Sequence, residues 1–220
     1  MKELNQYIDH TLLKPTATPK EIVNLCDQAK EYNFYAVCVN SCYAFLAATE
    51  LKESKVKVVA TVGFPLGAAS SEAKIAEAKQ AIAHGADEID MVMNVGFLKA
   101  ELYKAVREEI SAVKKAIGRR VIKVIIETCY LSNSEKKIAC EIVKKAGGTY
   151  IKTSTGFGEG GALVQDIEII KAAIGNAPKV KASGGIKTHE EAIAFIKAGA
   201  DRIGTSNGIK LLYASKEKQL

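Results

Sequence analysis

Two rhythms of apolar and polar positions alternate along the chain. Short runs rich in β-branched and apolar residues fall at 34–40, 57–63, 88–94, 121–127, 149–154, 179–183 and 202–206, with a weaker one at 7–10. Each has the length of a buried strand. Between them lie longer stretches of helical period, rich in Ala, Glu and Lys. Thr18-Pro19-Lys20-Glu21 and Ser70-Ser71-Glu72 carry helix-start chemistry: a hydroxyl cap, then Pro or an acid in the first turn. The series is about eight strand–helix units long, with no Pro/Gly/Ser-rich linker to divide it. Alternation without hairpin signals predicts a parallel sheet. Eight units predict an α/β fold, a single (β/α)8 TIM barrel over residues 1–220, with a mobile tail at about 214–220. A doubly wound open sheet is the structural alternative.

A short internal repeat sharpens the picture. Gly85, Gly147 and Gly199 each stand where a left-handed residue would end a helix, and a strand follows each. Five positions after these glycines come Asp90, Lys152 and Gly204. The same offset links Gly118 to Lys123, and Asn33 and Asn176 to Cys38 and Lys181. Equivalent strand positions therefore carry Cys, Asp, Lys, Lys, Lys and Gly, where a buried parallel strand would ordinarily carry Val, Ile or Leu. Strand alternation turns Ile89, Met91 and Met93 towards the helices, and Asp90 and Asn94 into the barrel. It likewise turns Tyr150, Lys152 and Ser154, and Lys179, Lys181 and Ser183, inward. For any one of these charges, a structural ion pair or a lysine reaching out to water is a sufficient account. An acid and two lysines at equivalent positions ask for more.

Composition narrows the class. With 48% hydrophobic residues the chain can bury a large core. Its 31 Lys+Arg and 25 Asp+Glu give a net charge of +6, but the two signs are interspersed. No basic stripe suggests nucleic acid as a partner. No stretch is apolar enough for a membrane span, and the first residues lack the apolar run of a secretory signal. Five scattered cysteines without a CxxC pair read as reduced thiols of a cytoplasmic protein. Cys38 and Cys42 have no accompanying His or Cys cluster, so no metal is expected. His84 and His189 fall on predicted helices and His10 in the first loop, none in a recognisable hydrolytic triad.

Inward lysines have a specific use. A lysine attacks a carbonyl only as the free amine, and at an ordinary pKa roughly 0.04% of it is neutral at pH 7. Burial and a nearby second cation both favour the amine, so a Lys–Lys pair is a way to make a nucleophile. An Asp within reach can move the protons of carbinolamine dehydration. The iminium ion that results is the electron sink for breaking a carbon–carbon bond. Ser183-Gly184-Gly185 and Gly204-Thr205-Ser206-Asn207-Gly208 follow or end the seventh and eighth predicted strands, where many barrels bind phosphate. Thr155-Gly156-Phe157-Gly158 follows the sixth and is expected to close over the ligand.

Ile8-Asp9-His10-Thr11-Leu12-Leu13-Lys14-Pro15, Gly85-Ala86-Asp87-Glu88-Ile89-Asp90 and Val124-Ile125-Ile126-Glu127-Thr128 occur in order, followed by Tyr150-Ile151-Lys152-Thr153-Ser154-Thr155-Gly156, Lys181-Ala182-Ser183-Gly184-Gly185 and Arg202-Ile203-Gly204-Thr205-Ser206. Together they resemble the successive motifs of the deoxyribose-phosphate aldolase family, from the N-terminus to the last strand. The resemblance implies Lys152 as the Schiff-base lysine, Lys181 as the second lysine that tunes it, and Asp90 as the proton donor and acceptor. It implies phosphate binding by Gly184, Gly185, Gly204, Ser206 and Asn207, and a substrate end lined by Asp9, Cys38 and Thr155. The implied reaction is reversible cleavage of 2-deoxy-D-ribose 5-phosphate to acetaldehyde and D-glyceraldehyde 3-phosphate, without metal or organic cofactor, in a homo-oligomer, with a dimer expected. Asn207 stands where the family often has a second Ser, and an amide can also donate to phosphate. The chain ends Lys216-Glu217-Lys218-Gln219-Leu220, without the terminal tyrosine of some members. Lys123 also points inward and is expected to pair with Glu127 or Asp90. Rival readings are another Schiff-base sugar-phosphate aldolase or transaldolase, and a non-catalytic sugar-phosphate-binding protein.

Overall fold

Strands form at all eight apolar runs: β1 (Ile8–Leu12), β2 (Ala36–Val39), β3 (Lys57–Val62), β4 (Glu88–Val92), β5 (Val121–Ile125), β6 (Tyr150–Lys152), β7 (Lys179–Ser183) and β8 (Arg202–Thr205). The helices are α1 (Pro19–Glu31), α2 (Ala44–Glu50), α3 (Ser71–Ala83), α4 (Val95–Lys99), α5 (Tyr103–Ala116), α6 (Asn133–Lys145), α7 (Val164–Ile174), α8 (His189–Lys197) and α9 (Gly208–Leu212). This computed structural model describes residues 3–213, so the tail expected at 214–220 lies outside the described residues. Every strand pairs in parallel with its sequence neighbour, and β8 returns to β1 with Gly204 opposite Asp9. The sheet is a closed barrel, which excludes the open doubly wound alternative.

Local signals fix where the elements start and stop. Thr18 caps α1 in a reciprocal box with Glu21, and Ser132 and Thr188 do the same for α6 and α8 with Glu135 and Glu191. Asn33, Gly85, Gly118, Gly147 and Gly199 all adopt positive φ after their helices. The chain then leaves each helix in one direction, and the strand begins in one register. The expected cap at Asn176 is displaced by one residue: Gly175 takes a positive φ at the end of α7, since glycine pays no Cβ penalty there.

Alternation sorts the strand side chains as expected. Ile89, Met91, Met93, Val124, Ile151, Val180 and Ile203 face outward and merge with Ile22, Ile110, Val143 and Ile170 of the helices into one apolar layer. Truncating one such buried Ile to Ala costs about 2–5 kcal/mol. Inside the barrel, apolar packing includes a small cluster of Leu13, Ala36, Cys38 and Val59. Three local expectations need correction. His10 lies within β1 rather than a loop, because β1 extends to Leu12. Lys179 begins β7 at the barrel's open lower rim and is exposed, its ammonium 5.9 Å from the Tyr150 ring. Asn94 turns its side chain to cap α4, accepting the Phe97 N–H at 3.0 Å. No helix among the described residues is long and apolar enough to cross a membrane.

Candidate active site

The barrel interior holds a charged network built from positions that are local neighbours in the sheet. Lys123 lies opposite Asp90, and Lys152 opposite Lys181. Asp90 is the hub: its Oδ1 accepts from Lys123 at 2.8 Å, and its Oδ2 accepts from Lys152 at 2.8 Å and Lys181 at 2.7 Å. Lys181 also donates to Asp9 Oδ2 at 2.5 Å. Asp9 Oδ1 accepts from Nε of Arg202 at 2.7 Å and from its Nη2. Lys123 continues to Glu88 at 2.6 Å, and the Arg202 guanidinium stacks on the Tyr35 ring, 3.4 Å from its centroid.

Burial acts to raise the carboxyls, but the bases prevail. Arg202, then Lys181 and Lys123, bring Asp9 down to about 2. Lys123, Lys152 and Lys181 hold Asp90 well below the ordinary carboxylate range. Burial likewise opposes charge on Lys181, yet Asp9 and Asp90 raise its pKa and keep it an ammonium ion. Three interior carboxylates (Asp9, Glu88 and Asp90) thus face four bases (Lys123, Lys152, Lys181 and Arg202). One base of the set can be neutral without leaving a carboxylate unpaired.

Above this network opens a cavity of about 280 Å³. Lys152, only 2% exposed, reaches its floor, whereas Lys123 and Lys181 are fully buried and do not line it. Thr155, Gly156 and Phe157 form one wall. Gly184, Gly185, Gly204, Ser206 and Asn207 line it too, with Gly184 directly beside Gly156, so every residue expected to bind phosphate is brought together. Gly184 and Gly185 both have positive φ (88° and 79°), the kind of turn whose successive N–H groups form an anion-binding concavity. Gly204 has a different reason to be glycine. A Cβ there would lie 2.9 Å from Ser183 Cβ and 3.0 Å from Lys181 Cε, so its absence lets the Lys181 stem cross β8.

Residues 4–214 match the family described as DeoC/LacD family aldolase. The chain belongs to the DeoC/LacD aldolase family. It is 54% identical over 210 residues to the deoxyribose-phosphate aldolase of Finegoldia magna, covering 96% of this chain and 99% of the relative. Among solved structures it superposes on QR15, an aldolase, with a TM-score of 0.93 and 43% identity over 96% of this chain and 95% of the other. It also superposes on the deoxyribose phosphate aldolase of Aeropyrum pernix, described as a unique tetramer, with a TM-score of 0.85 and 32% identity over 95% and 89% of the two chains.

In this aldolase the structure places Asp9 and Cys38 fully buried within the charged network, outside the cavity lining. The Cys38 thiol lies 3.8 Å from Asp90 Oδ2, and burial pushes its pKa up. Lys123 pairs with Asp90 and Glu88, as one of the two expectations had it; Glu127 instead binds Thr155. Sequence reasoning missed Arg202, one of the largest fully buried side chains, although alternation from Gly204 puts it on the inward face. It also missed Lys14 and Lys187, exposed cations that line the same cavity. Single exposed lysines in a chain with many have no distinguishing local signal.

Proposed function

We propose that this chain reversibly cleaves 2-deoxy-D-ribose 5-phosphate to D-glyceraldehyde 3-phosphate and acetaldehyde through an imine on Lys152. The observation that carries the reading is that Lys152, alone among the three inward lysines, meets the cavity while also touching Asp90. In this reading the open-chain aldehyde accepts the Lys152 amine at C1, and loss of water from the carbinolamine leaves an iminium ion. The C3 hydroxyl gives up its proton, the C2–C3 bond breaks, and its electron pair passes into the iminium to form an enamine. Glyceraldehyde 3-phosphate departs. Protonation at C2 and hydrolysis then release acetaldehyde and restore the amine.

Lys181 and Asp90 supply the proton traffic, since an ammonium and a carboxylate in contact sit against the reacting nitrogen. Asp9 and Cys38 act from within the charged network, Asp9 by fixing Lys181. Gly184, Gly185, Gly204, Ser206 and Asn207 hold the phosphate through backbone and side-chain donors, with Lys14 and Lys187 adding charge. Thr155 covers the carbon chain. The barrel is the whole catalytic domain, needs no metal or organic cofactor, and works in the cytoplasm as a homo-oligomer. The named activities of the relatives and the tetramer described for one of them support this reading.

A coupled assay for glyceraldehyde 3-phosphate, started with deoxyribose 5-phosphate, tests it. Turnover is expected. Binding without turnover would favour a sensor, and turnover of a different sugar phosphate in preference would favour another aldolase.

A further inference from the structure

Glu127 stands just past the end of β5 with a left-handed backbone, φ 51° and ψ 70°. For a residue with a side chain this conformation costs free energy, and such a strained position suggests a function where the surroundings hold it in place. They do so here. Ile126 N–H donates to Lys152 O at 3.0 Å, and Thr128 N–H donates to Thr153 O at 3.0 Å, so the turn is pinned to β6 on both sides. Between those two bonds the Glu127 side chain is aimed at Thr155. Its carboxylate accepts the Thr155 N–H at 3.2 Å on each oxygen, and also the Thr155 hydroxyl.

That contact organises a wall. The Thr155 hydroxyl, donating to Glu127, accepts the Phe157 N–H at 3.0 Å, and the Phe157 ring meets Phe64 edge-on at 5.3 Å. Gly158 passes so close that a Cβ would lie 2.9 Å from Cys129 Sγ and 3.3 Å from Glu127 Cδ. Thr155 and Phe157 face the Lys152 cavity on one side. On the other they face a second space of about 90 Å³, walled also by Leu66, Val92 and Glu127. Glu127 does not line the Lys152 cavity; its charge is felt by Lys152, but its contact with the cavity wall runs through Thr155.

We infer that Glu127 is a positioning residue: from behind, it holds the Thr155–Phe157 partition that sets the width of the cavity over the carbon chain. The inference rests on the proposed aldolase reaction. With the carboxylate gone, the partition can relax into the smaller space. The carbon chain then loses its fit, while Gly185, Gly204, Ser206 and Asn207, which make no hydrogen bond to Glu127 or Thr155, keep their places. The expected signature is a fall in kcat with little change in KM, and relatively better use of a bulkier apolar aldehyde.

The test compares wild type, Glu127→Gln, Glu127→Gly, Thr155→Val and the double variant Glu127→Gln/Thr155→Val. Glycine relieves the left-handed strain, so Glu127→Gly separates loss of the carboxylate from loss of the fold. Both Glu127 variants are expected to lose roughly 10- to 100-fold in kcat for deoxyribose 5-phosphate, the scale of a small misplacement, with KM changed less than about threefold. Borohydride trapping of acetaldehyde on Lys152 is expected to persist. The ratio of pentanal to glyceraldehyde 3-phosphate as acceptor for acetaldehyde should rise. The double variant should be no slower than the worse single one, because both substitutions break the same contact. Wild-type kcat in Glu127→Gly, or fully additive losses in the double variant, would overturn the inference. Absence of turnover and trapping in the wild type would instead defeat the proposed function on which it rests.

Discussion

Lys181 Nζ lies 2.7 Å from Asp90 Oδ2, the same oxygen to which Lys152 donates at 2.8 Å. One carboxylate oxygen thus joins the two lysines, and the second lysine is itself held as a cation by Asp9. The pair is asymmetric: Lys181 is enclosed and ionised, and Lys152 faces the cavity. That asymmetry makes different predictions for the three inward lysines.

Replacing Lys181 with Leu should lower kcat by at least about 100-fold, the usual scale for a lost acid–base group. It should also destabilise the fold by about 3–5 kcal/mol, because Asp9 and Asp90 lose a buried partner. Steady-state kinetics and chemical denaturation of the same preparation separate the two effects. Near-normal kcat would remove Lys181 from the proton path.

Lys123→Met should behave differently. Lys123 joins Asp90 and Glu88 but does not reach the cavity, so acetaldehyde should still be trapped on Lys152. Its loss leaves three carboxylates (Asp9, Glu88 and Asp90) with fewer partners and should cost about 3 kcal/mol of stability. Failure of trapping in a folded Lys123→Met protein would show that the nucleophile depends on Lys123 directly.

Gly204→Ala is the sharpest test of the packing between β7 and β8. The added methyl meets Ser183 Cβ at 2.9 Å and Lys181 Cε at 3.0 Å, so the Lys181 stem must shift. We expect kcat to fall on the order of tenfold or more, since small displacements of a reacting group are costly. An unchanged kcat would mean that the stem has room to spare.

The network also sets an acid limit. The Asp9 pKa is lowered from 3.8 to about 2, so between those values the unfolded chain binds more protons than the folded one. Its contribution, of order 2 kcal/mol, is therefore fully present above about pH 4 and is lost as pH falls towards 2. Asp90, shifted in the same direction, adds to the loss. Denaturation midpoints measured from pH 6 down to pH 2.5 should decline steeply below pH 4. A flat profile would mean that the buried charges do not hold the barrel together.

The barrel and its inward-facing charged residues were legible because short-range chemistry sets strand register. A left-handed residue after the helix fixes the strand start, and alternation then decides which side chains point inward. Gly85, Gly118 and Gly147 place Asp90, Lys123 and Lys152 in this way. The offset slips by one at Gly175, yet Lys181 still faces inward because β7 begins at Lys179. What sequence could not supply were pairings between distant parts of the chain. Arg202 and Asp9 are 193 positions apart and meet only when the barrel closes. Which inward lysine meets the cavity depends on the height of each above the barrel floor. Residue type is blind to that height, so the choice of Lys152 among the inward lysines rested on the family resemblance. The left-handed backbone of Glu127 was likewise hidden, since nothing local asks a glutamate to adopt it.

The central claim is that Lys152 is the imine-forming residue. Incubation with acetaldehyde and borohydride, followed by peptide mass spectrometry, tests it most directly. The account predicts a reduced two-carbon adduct on Lys152, absent in Lys152→Arg, whose guanidinium stays protonated and cannot form the imine. An adduct on Lys123 or Lys181 instead, or turnover retained by Lys152→Arg, would contradict it.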